Sequence, residues 1–446
     1  MSSDRAASPL LQVFLLLLIA SIWFPGATRI AGTDGSLSFL LALFCAAISL
    51  GSYRELAKRV HHTEATLAAA LLTTAGLIII LSLLSMLYAD NPMRAMRAVF
   101  AQIFGFATIP AIVAISARPN GAAVVDRFVT AMIVMSVVTA CIVIAGLGGA
   151  RFADRAAGYF KHANQLGIAM SAGLPIVAAR LVIARKHRIL LFGCLIVVLL
   201  GLVKSGSKTN FVVGVTGLGL FFALYAIYSA VRKQRPLAII AGAVTAPLVL
   251  QAALFILQSL NPRAYRLLTT QLSGGEAPSV ISRARLWSIS IDLGLAHPFR
   301  GVGAGQPIGD IAPHSHNLFI EYFRTLGVPG VALIVVMVLL VLICLIGAIV
   351  PTLIGQGRST YATNANVMAL GASVCVWNYL VANQMSDSFG PSTAAFFWIP
   401  LALLIAYRNV QQSIAAGTDE GKQAFDEANP HAFRTLRPRG GQKLWI

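Results

Sequence analysis

Long uninterrupted apolar runs alternate with short polar connections along this chain. A helix needs about 20 apolar residues to cross a bilayer, and twelve runs reach or approach that length: 10–27, 36–51, 66–88, 97–117, 124–147, 163–184, 189–204, 208–230, 237–260, 328–350, 363–385 and 392–409. The second and seventh are short. The pattern predicts an all-α integral membrane protein with about 12 transmembrane helices. Nine fall within 1–260 and three within 328–409, separated by a loop over 261–327 and followed by a tail over 410–446. With 57% hydrophobic and 11% charged residues, roughly half the charged fraction of a soluble domain, the composition leaves no room for a large soluble domain. The first run is expected to stay in place, because further spans follow it where a cleaved signal would precede a soluble region.

The polar connections orient the bundle. With the N-terminus inside, cytoplasmic segments hold 20 Lys and Arg and the opposite segments 13, so the positive-inside rule puts both termini in the cytoplasm and 261–327 in the periplasm. A net charge of +18 would suggest nucleic acid in a soluble protein. Here it reads as the topology signal plus a basic tail near anionic membrane lipids, and nucleic acid is set aside. Cys45, Cys141, Cys194, Cys344 and Cys375 all lie in apolar runs, where they read as small packing residues.

The loop over 261–327 is the longest internal polar segment, and two helices are predicted in it, Ser282–Ala296 and Ser315–Leu326. In the first, Leu286, Ile289 and Leu293 share one face. Arg283 and Trp287 share another, and Arg285 stands about 200° around from Arg283. His297-Pro298 ends this helix, and Gly301–Gly305 is expected as a mobile turn. A continuous helix from His316 to Val350 would run about 50 Å, beyond a hydrocarbon core, so Gly327-Val328-Pro329-Gly330 is expected to break it.

His314 and His316 stand at the junction of loop and helix. A neutral imidazole is the side chain best matched to proton transfer near pH 7; the same residues would serve equally as a helix cap. Lys208 begins an apolar run one turn beyond Lys204. Charges at membrane depth tend to be functional, and a long stem also snorkels. Arg151, Arg155, Lys161, Arg263, Arg266, Arg283 and Arg300 add cations on the same side. Together they suit a pyrophosphate, to which Arg offers bidentate hydrogen bonds and Lys a point charge; singly, each also reads as a solvated loop charge. Asp90, Asp154, Asp310 and Asp387 form no carboxylate pair at metal-ligand spacing. A transporter would carry charges and broken helices at mid-membrane depth, and the span centres hold few.

Gly158-Tyr159-Phe160-Lys161-His162-Ala163-Asn164-Gln165-Leu166-Gly167, Ser207-Lys208, Arg283 with Trp287, His297-Pro298-Phe299-Arg300-Gly301-Val302-Gly303-Ala304-Gly305 and His316-Asn317-Leu318 with Leu326-Gly327-Val328-Pro329-Gly330 resemble, in order and placement, the O-antigen ligase and polymerase superfamily. The resemblance spans roughly residues 158–390. It implies a GT-C-like multi-helix fold with a large periplasmic loop, in a glycosyltransferase without a metal or nucleotide-sugar cofactor. The implied donor is an undecaprenyl-pyrophosphate-linked glycan and the implied acceptor a sugar hydroxyl of lipid A-core. His316 matches the family's essential His and Arg283 the Arg preceding the loop Trp. Lys208 stands where Arg is usual, and Asp387 matches a functional acidic position. Arg285, Arg266, Arg263, His314, Asn317, Asn164 and Lys161 complete the candidate substrate-binding set. The ligase branch is the preferred expectation, with the polymerase branch and, from another class, a lipid-linked oligosaccharide transporter as alternatives.

Overall fold

Each of the twelve apolar runs contains a helix in the computed structural model, which describes residues 9–26, 36–51, 60–118, 121–148, 151–152, 155–184, 186–233, 237–272, 278–354, 360–385, 390 and 393–415. Nine helices precede the loop: α1 (Pro9–Ile22), α2 (Ser36–Gly51), α3 (His62–Leu84), α4 (Pro92–Ser116), α5 (Gly121–Ile144), α6 (Ala163–Ile183), α7 (Arg188–Ser205), α8 (Lys208–Lys233) and α9 (Leu237–Leu260). Two more form within it, α10 (Pro262–Leu272) and α11 (Pro278–Ala296), before α12 (Leu318–Ile354), α13 (Thr360–Ala382) and α14 (Ala395–Ala415). Among the described residues, eight helices are long and apolar enough to cross a membrane. The chain is a multi-pass, all-α membrane protein.

In lipid the backbone must satisfy its own hydrogen bonds, and helix association rests on close packing and a few interhelical polar contacts. The most enclosed helices are α4, α6, α13 and α14, with α13 packed between α6 and α14. Inside this core, Asn378 Nδ2 donates to Ser171 O (3.1 Å), Cys375 Sγ to Ala172 O (2.8 Å) and Trp398 Nε1 to Ala101 O (2.8 Å). Large apolar side chains on the outward faces of α3 and α12, among them Leu77, Ile80, Leu339, Ile343 and Ile346, stay exposed, as suits a lipid-facing surface. The five cysteines are free, and Cys45, Cys344 and Cys375 are buried.

At one end of the bundle a buried ion pair joins three helices. Arg408 Nη2 of α14 meets Glu64 Oε1 of α3 at 2.8 Å, and Arg408 Nη1 donates to Cys344 O of α12 (3.0 Å). Gln412 Nε2 adds a bond to Glu64 Oε1 (2.9 Å). Gly347 makes room for this pair, since a Cβ there would lie 2.3 Å from Arg408 Nη1.

The opposite end carries the loop. The expected break in the last long helix of this segment is present at Gly327 (φ 69°, ψ −161°). Helix α11 starts four residues earlier than the periodicity indicates. Helix α10 was not expected, although its start has a recognisable signal: Asn261 Oδ1 accepts from Ala264 N (3.0 Å) and Pro262 takes the first helical position. Helix α12 begins at Leu318 rather than Ser315, because Asn317 Oδ1 accepts from Phe319 N (3.0 Å) and Ile320 N (3.1 Å) as its cap.

The glycine run is a second correction. It is a hydrogen-bonded clasp along the start of α12 and not a mobile turn: Gly301 N donates to His297 O (2.8 Å), Val302 N to Arg324 O (2.9 Å) and Gly303 N to Thr325 O (2.9 Å). A Cβ at Gly301 would stand 2.3 Å from Thr325 C, so glycine there permits close approach of two backbones. Asp154, Asp387 and the tail beyond residue 415 lie outside the described residues.

Candidate functional site

Two groups of side chains gather at this loop-bearing end. The first is built where α6 and α8 begin and α7 ends. Ser205-Gly206-Ser207 turns the chain from α7 into α8, with Gly206 left-handed (φ 60°). Asn164, at the start of α6, reads that turn: its Oδ1 accepts from Ser207 Oγ (3.0 Å) and from Arg155 Nη2 (2.6 Å), while its carbonyl accepts from Asn210 Nδ2 (3.0 Å). Arg155 Nε donates to Ser205 O (3.3 Å). Arg155 itself opens the second of two short antiparallel strands, in which Arg151 pairs with Ala156 and Phe152 with Arg155.

Around this frame the structure collects cations. Burial first, and the charge of Arg263 second, push the Arg155 guanidinium below its usual value. Lys208, half-buried at the first position of α8, faces the charges of Arg283 and Arg155. Burial also lowers the Arg283 guanidinium. Four like charges thus share one polar mouth, an arrangement that repels itself until an anion occupies it. Arg285 is exposed, whereas Arg283 is half-buried, as suits two residues well separated around the helix. Arg266 is exposed on α10, one turn beyond Arg263.

The second group surrounds the paired imidazoles. His314 and His316 stand edge to face, ring centroids 4.3 Å apart. His316 has φ 57°, a left-handed backbone that a non-glycine residue holds only when its surroundings over-determine it. Ser315, fully buried between the two, donates its N–H to Glu321 Oε2 (2.8 Å) and its hydroxyl to Asn317 O (3.1 Å). Leu318 N donates to Asn383 O (3.2 Å), tying the turn to the end of α13.

His314 lines a cavity of about 430 Å³ together with Arg94, Arg97, Lys161, Glu321 and Tyr322, within the size range of small-ligand sites. Gly390 also borders it, three residues beyond the candidate Asp387. Arg94, Arg97 and Lys161 are exposed, and Glu321, the carboxylate in the wall, is engaged by Arg324 at 2.7 Å. Among the described residues no group of three His, Cys, Asp or Glu stands close enough to hold a metal ion.

The sequence candidates therefore separate. Lys208, Arg283 and Arg263 meet in the first group, with Asn164 as a scaffold for Arg155. His314, His316 and Lys161 belong to the second. The Oδ1 of Asn317 caps α12. Arg300 lies over the Tyr88 ring at 5.4 Å and accepts the Tyr88 hydroxyl on its carbonyl.

Arg94 and Arg97 were missed, and a signal existed. They stand three apart in the first two turns of α4, the positive end of the helix dipole, where cations are disfavoured. A residue placed against a local preference invites a functional explanation.

The fold and this end of it define a multi-pass helical membrane protein that carries a cation cluster and a pair of imidazoles at one end of the bundle. Residues 191–335 match the family model described as O-Antigen ligase. Over that stretch the resemblance to the O-antigen ligase and polymerase superfamily is borne out. The match includes Lys208, Arg263, Arg283, His314 and His316, while Asn164 and Lys161 precede it. No curated protein matches the chain.

Proposed function

We propose that this chain is an O-antigen ligase: a glycosyltransferase that moves a glycan from undecaprenyl pyrophosphate to a sugar hydroxyl of lipid A-core at the periplasmic face of the inner membrane. In this reading the fold is GT-C-like, twelve of its helices cross the bilayer, both termini are cytoplasmic, and residues 261–327 form the periplasmic cap. The observation that carries the reading is the juxtaposition of paired imidazoles on a strained turn with clustered cations at the same bundle end.

The division of labour follows from the chemistry. His316 takes the proton of the acceptor hydroxyl as its oxygen attacks the anomeric carbon, and the bond from that carbon to the pyrophosphate oxygen breaks. A positioned base contributes typically 10² to 10⁴-fold. The leaving pyrophosphate needs charge stabilisation more than a proton, which Arg283, Lys208 and Arg155 supply as fixed cations. One displacement without a covalent intermediate inverts the anomeric centre, and the cations make a divalent metal dispensable. Asp387 is included as a functional acidic residue on the family resemblance alone.

The test is transfer by purified full-length protein in detergent, with undecaprenyl-pyrophosphate glycan and lipid A-core, in the presence and absence of chelator. His316→Ala should retain folding and donor binding and lose transfer, with His314→Ala milder. Near-normal transfer by His316→Ala removes the catalytic assignment. Loss of wild-type transfer in chelator, restored by magnesium or manganese, removes metal independence.

A further inference from the structure

We propose that Glu321, locked by Arg324, is a positioning residue for transfer: its carboxylate sets the turn from which the two imidazoles project. The inference rests on the reading of His316 as general base.

The observation begins with an ion pair that has little reason to exist for stability alone. Arg324 has a fully buried side chain and that of Glu321 is 11% exposed, with Arg324 Nη2 and Glu321 Oε1 2.7 Å apart. Charges withdrawn from water this far gain little net stability over apolar residues of the same size. What distinguishes this pair is where its remaining bonds go. Arg324 Nη2 donates to Gln306 O (2.7 Å) and Nη1 to Pro307 O (3.2 Å), while Glu321 Oε2 accepts the Ser315 N–H (2.8 Å). All three partners are main-chain groups of the segment that leads to or separates the histidines.

The upstream end of that segment is anchored in turn. Gln306 Oε1 accepts from Asn91 N (3.1 Å) and its Nε2 donates to Asn91 O (2.9 Å), clasping the residue that caps α4. A continuous path therefore runs from the start of α4 through Gln306, Arg324 and Glu321 to Ser315. It ends on the peptide between His314 and His316, one residue before the left-handed backbone of His316. Glu321 is the side chain that holds this amide, and Arg324 prevents the carboxylate from rotating away. Loss of the bond frees the turn to relax toward an unstrained φ, which swings the His316 ring away from the acceptor hydroxyl.

A carboxamide cannot replace this carboxylate. Glu321→Gln has one acceptor oxygen for two donors, Ser315 N–H and Arg324, and turns an NH₂ toward whichever it does not accept. Glu321→Asp keeps the negative charge beside Arg324 and withdraws it by one methylene from Ser315. Neither touches the cation group around Lys208.

In the purified assay, Glu321→Gln and Glu321→Asp should each lose about 10²-fold in kcat, the usual consequence of an ångström-scale misplacement, with the KM for donor and acceptor unchanged. The melting temperature of Glu321→Asp should stay near wild type, so that variant decides the question if Glu321→Gln does not fold. Unchanged kcat in Glu321→Asp, or a loss in both variants that merely follows the folded fraction, overturns the proposal. His316→Ala in the same series separates the two readings: an active His316→Ala ends the general-base assignment, while an inactive His316→Ala beside an active Glu321→Asp ends only the positioning role.

Discussion

Replacing Arg283 by Met should make the protein more stable and less active at once. Arg283 is half-buried, burial depresses its guanidinium, and its charge bears on Lys208 beside Arg155. Methionine retains most of the buried stem, so the change is chiefly removal of a charge from a self-repelling group. Relief of such strain at a functional site is worth about 0.5–2 kcal/mol, which raises an apparent melting temperature by a few degrees. The same charge, if it binds the donor pyrophosphate, forms a charge-assisted bond away from bulk water. Truncating one partner of such a bond costs about 2–5 kcal/mol, a loss in kcat/KM from about 30-fold to several thousandfold. Arg285→Met is the control, since Arg285 is exposed and a surface change of this kind stays within about 0.5 kcal/mol. The assay is transfer at varied donor concentration, paired with thermal melting in detergent with and without inorganic pyrophosphate. Pyrophosphate should stabilise the wild type more than Arg283→Met. The reasoning fails if Arg285→Met loses as much transfer as Arg283→Met, or if Arg283→Met melts lower than wild type with an unchanged donor KM.

Lys208→Arg should keep most transfer activity, because the position needs a cation facing an anion; an inactive but folded variant would assign Lys208 to packing. Arg94→Gln combined with Arg97→Gln should leave the melting temperature unchanged, both being exposed, and lower kcat/KM about tenfold or more, as loss of charged contacts to an anionic substrate does; full activity would leave the cavity beside His314 without a part in transfer. At the other end of the bundle, Arg408→Met leaves Glu64 buried and unpaired and should destabilise by about 3–5 kcal/mol. Glu64→Met with Arg408→Met should recover most of that melting temperature, and a double variant no better than the single would show that the surrounding polar bonds, not the pair, hold this end.

What the sequence determined by itself is whatever depends on local pattern. Hydrophobic run length located a helix in each apolar run, eight of them among the described residues long and apolar enough to cross a membrane, because in lipid such a stretch has only the helix to satisfy its backbone. Helical geometry set Arg283 and Arg285 on different faces, in keeping with their different exposure, and Gly327-Val328-Pro329-Gly330 announced the break in the last loop-to-membrane helix. The motif order around His316 and Lys208 pointed to the superfamily whose model residues 191–335 match. The tertiary structure decided which of these residues meet. Arg155, Lys208 and Arg283 lie up to 128 positions apart and come together because the ends of antiparallel helices share one mouth. Arg94 and Arg97 became candidates only when folding placed them in the lining of one cavity with His314. The left-handed turn at His316 was equally invisible, since no local signal calls for φ 57° at a histidine. It is framed by bonds from Glu321 and Asn317 at the start of α12 and by the bond from Leu318 to Asn383, which exists only after α12 and α13 have packed. Backbone strain of this kind is a property of surroundings, and the surroundings are what a linear pattern does not contain.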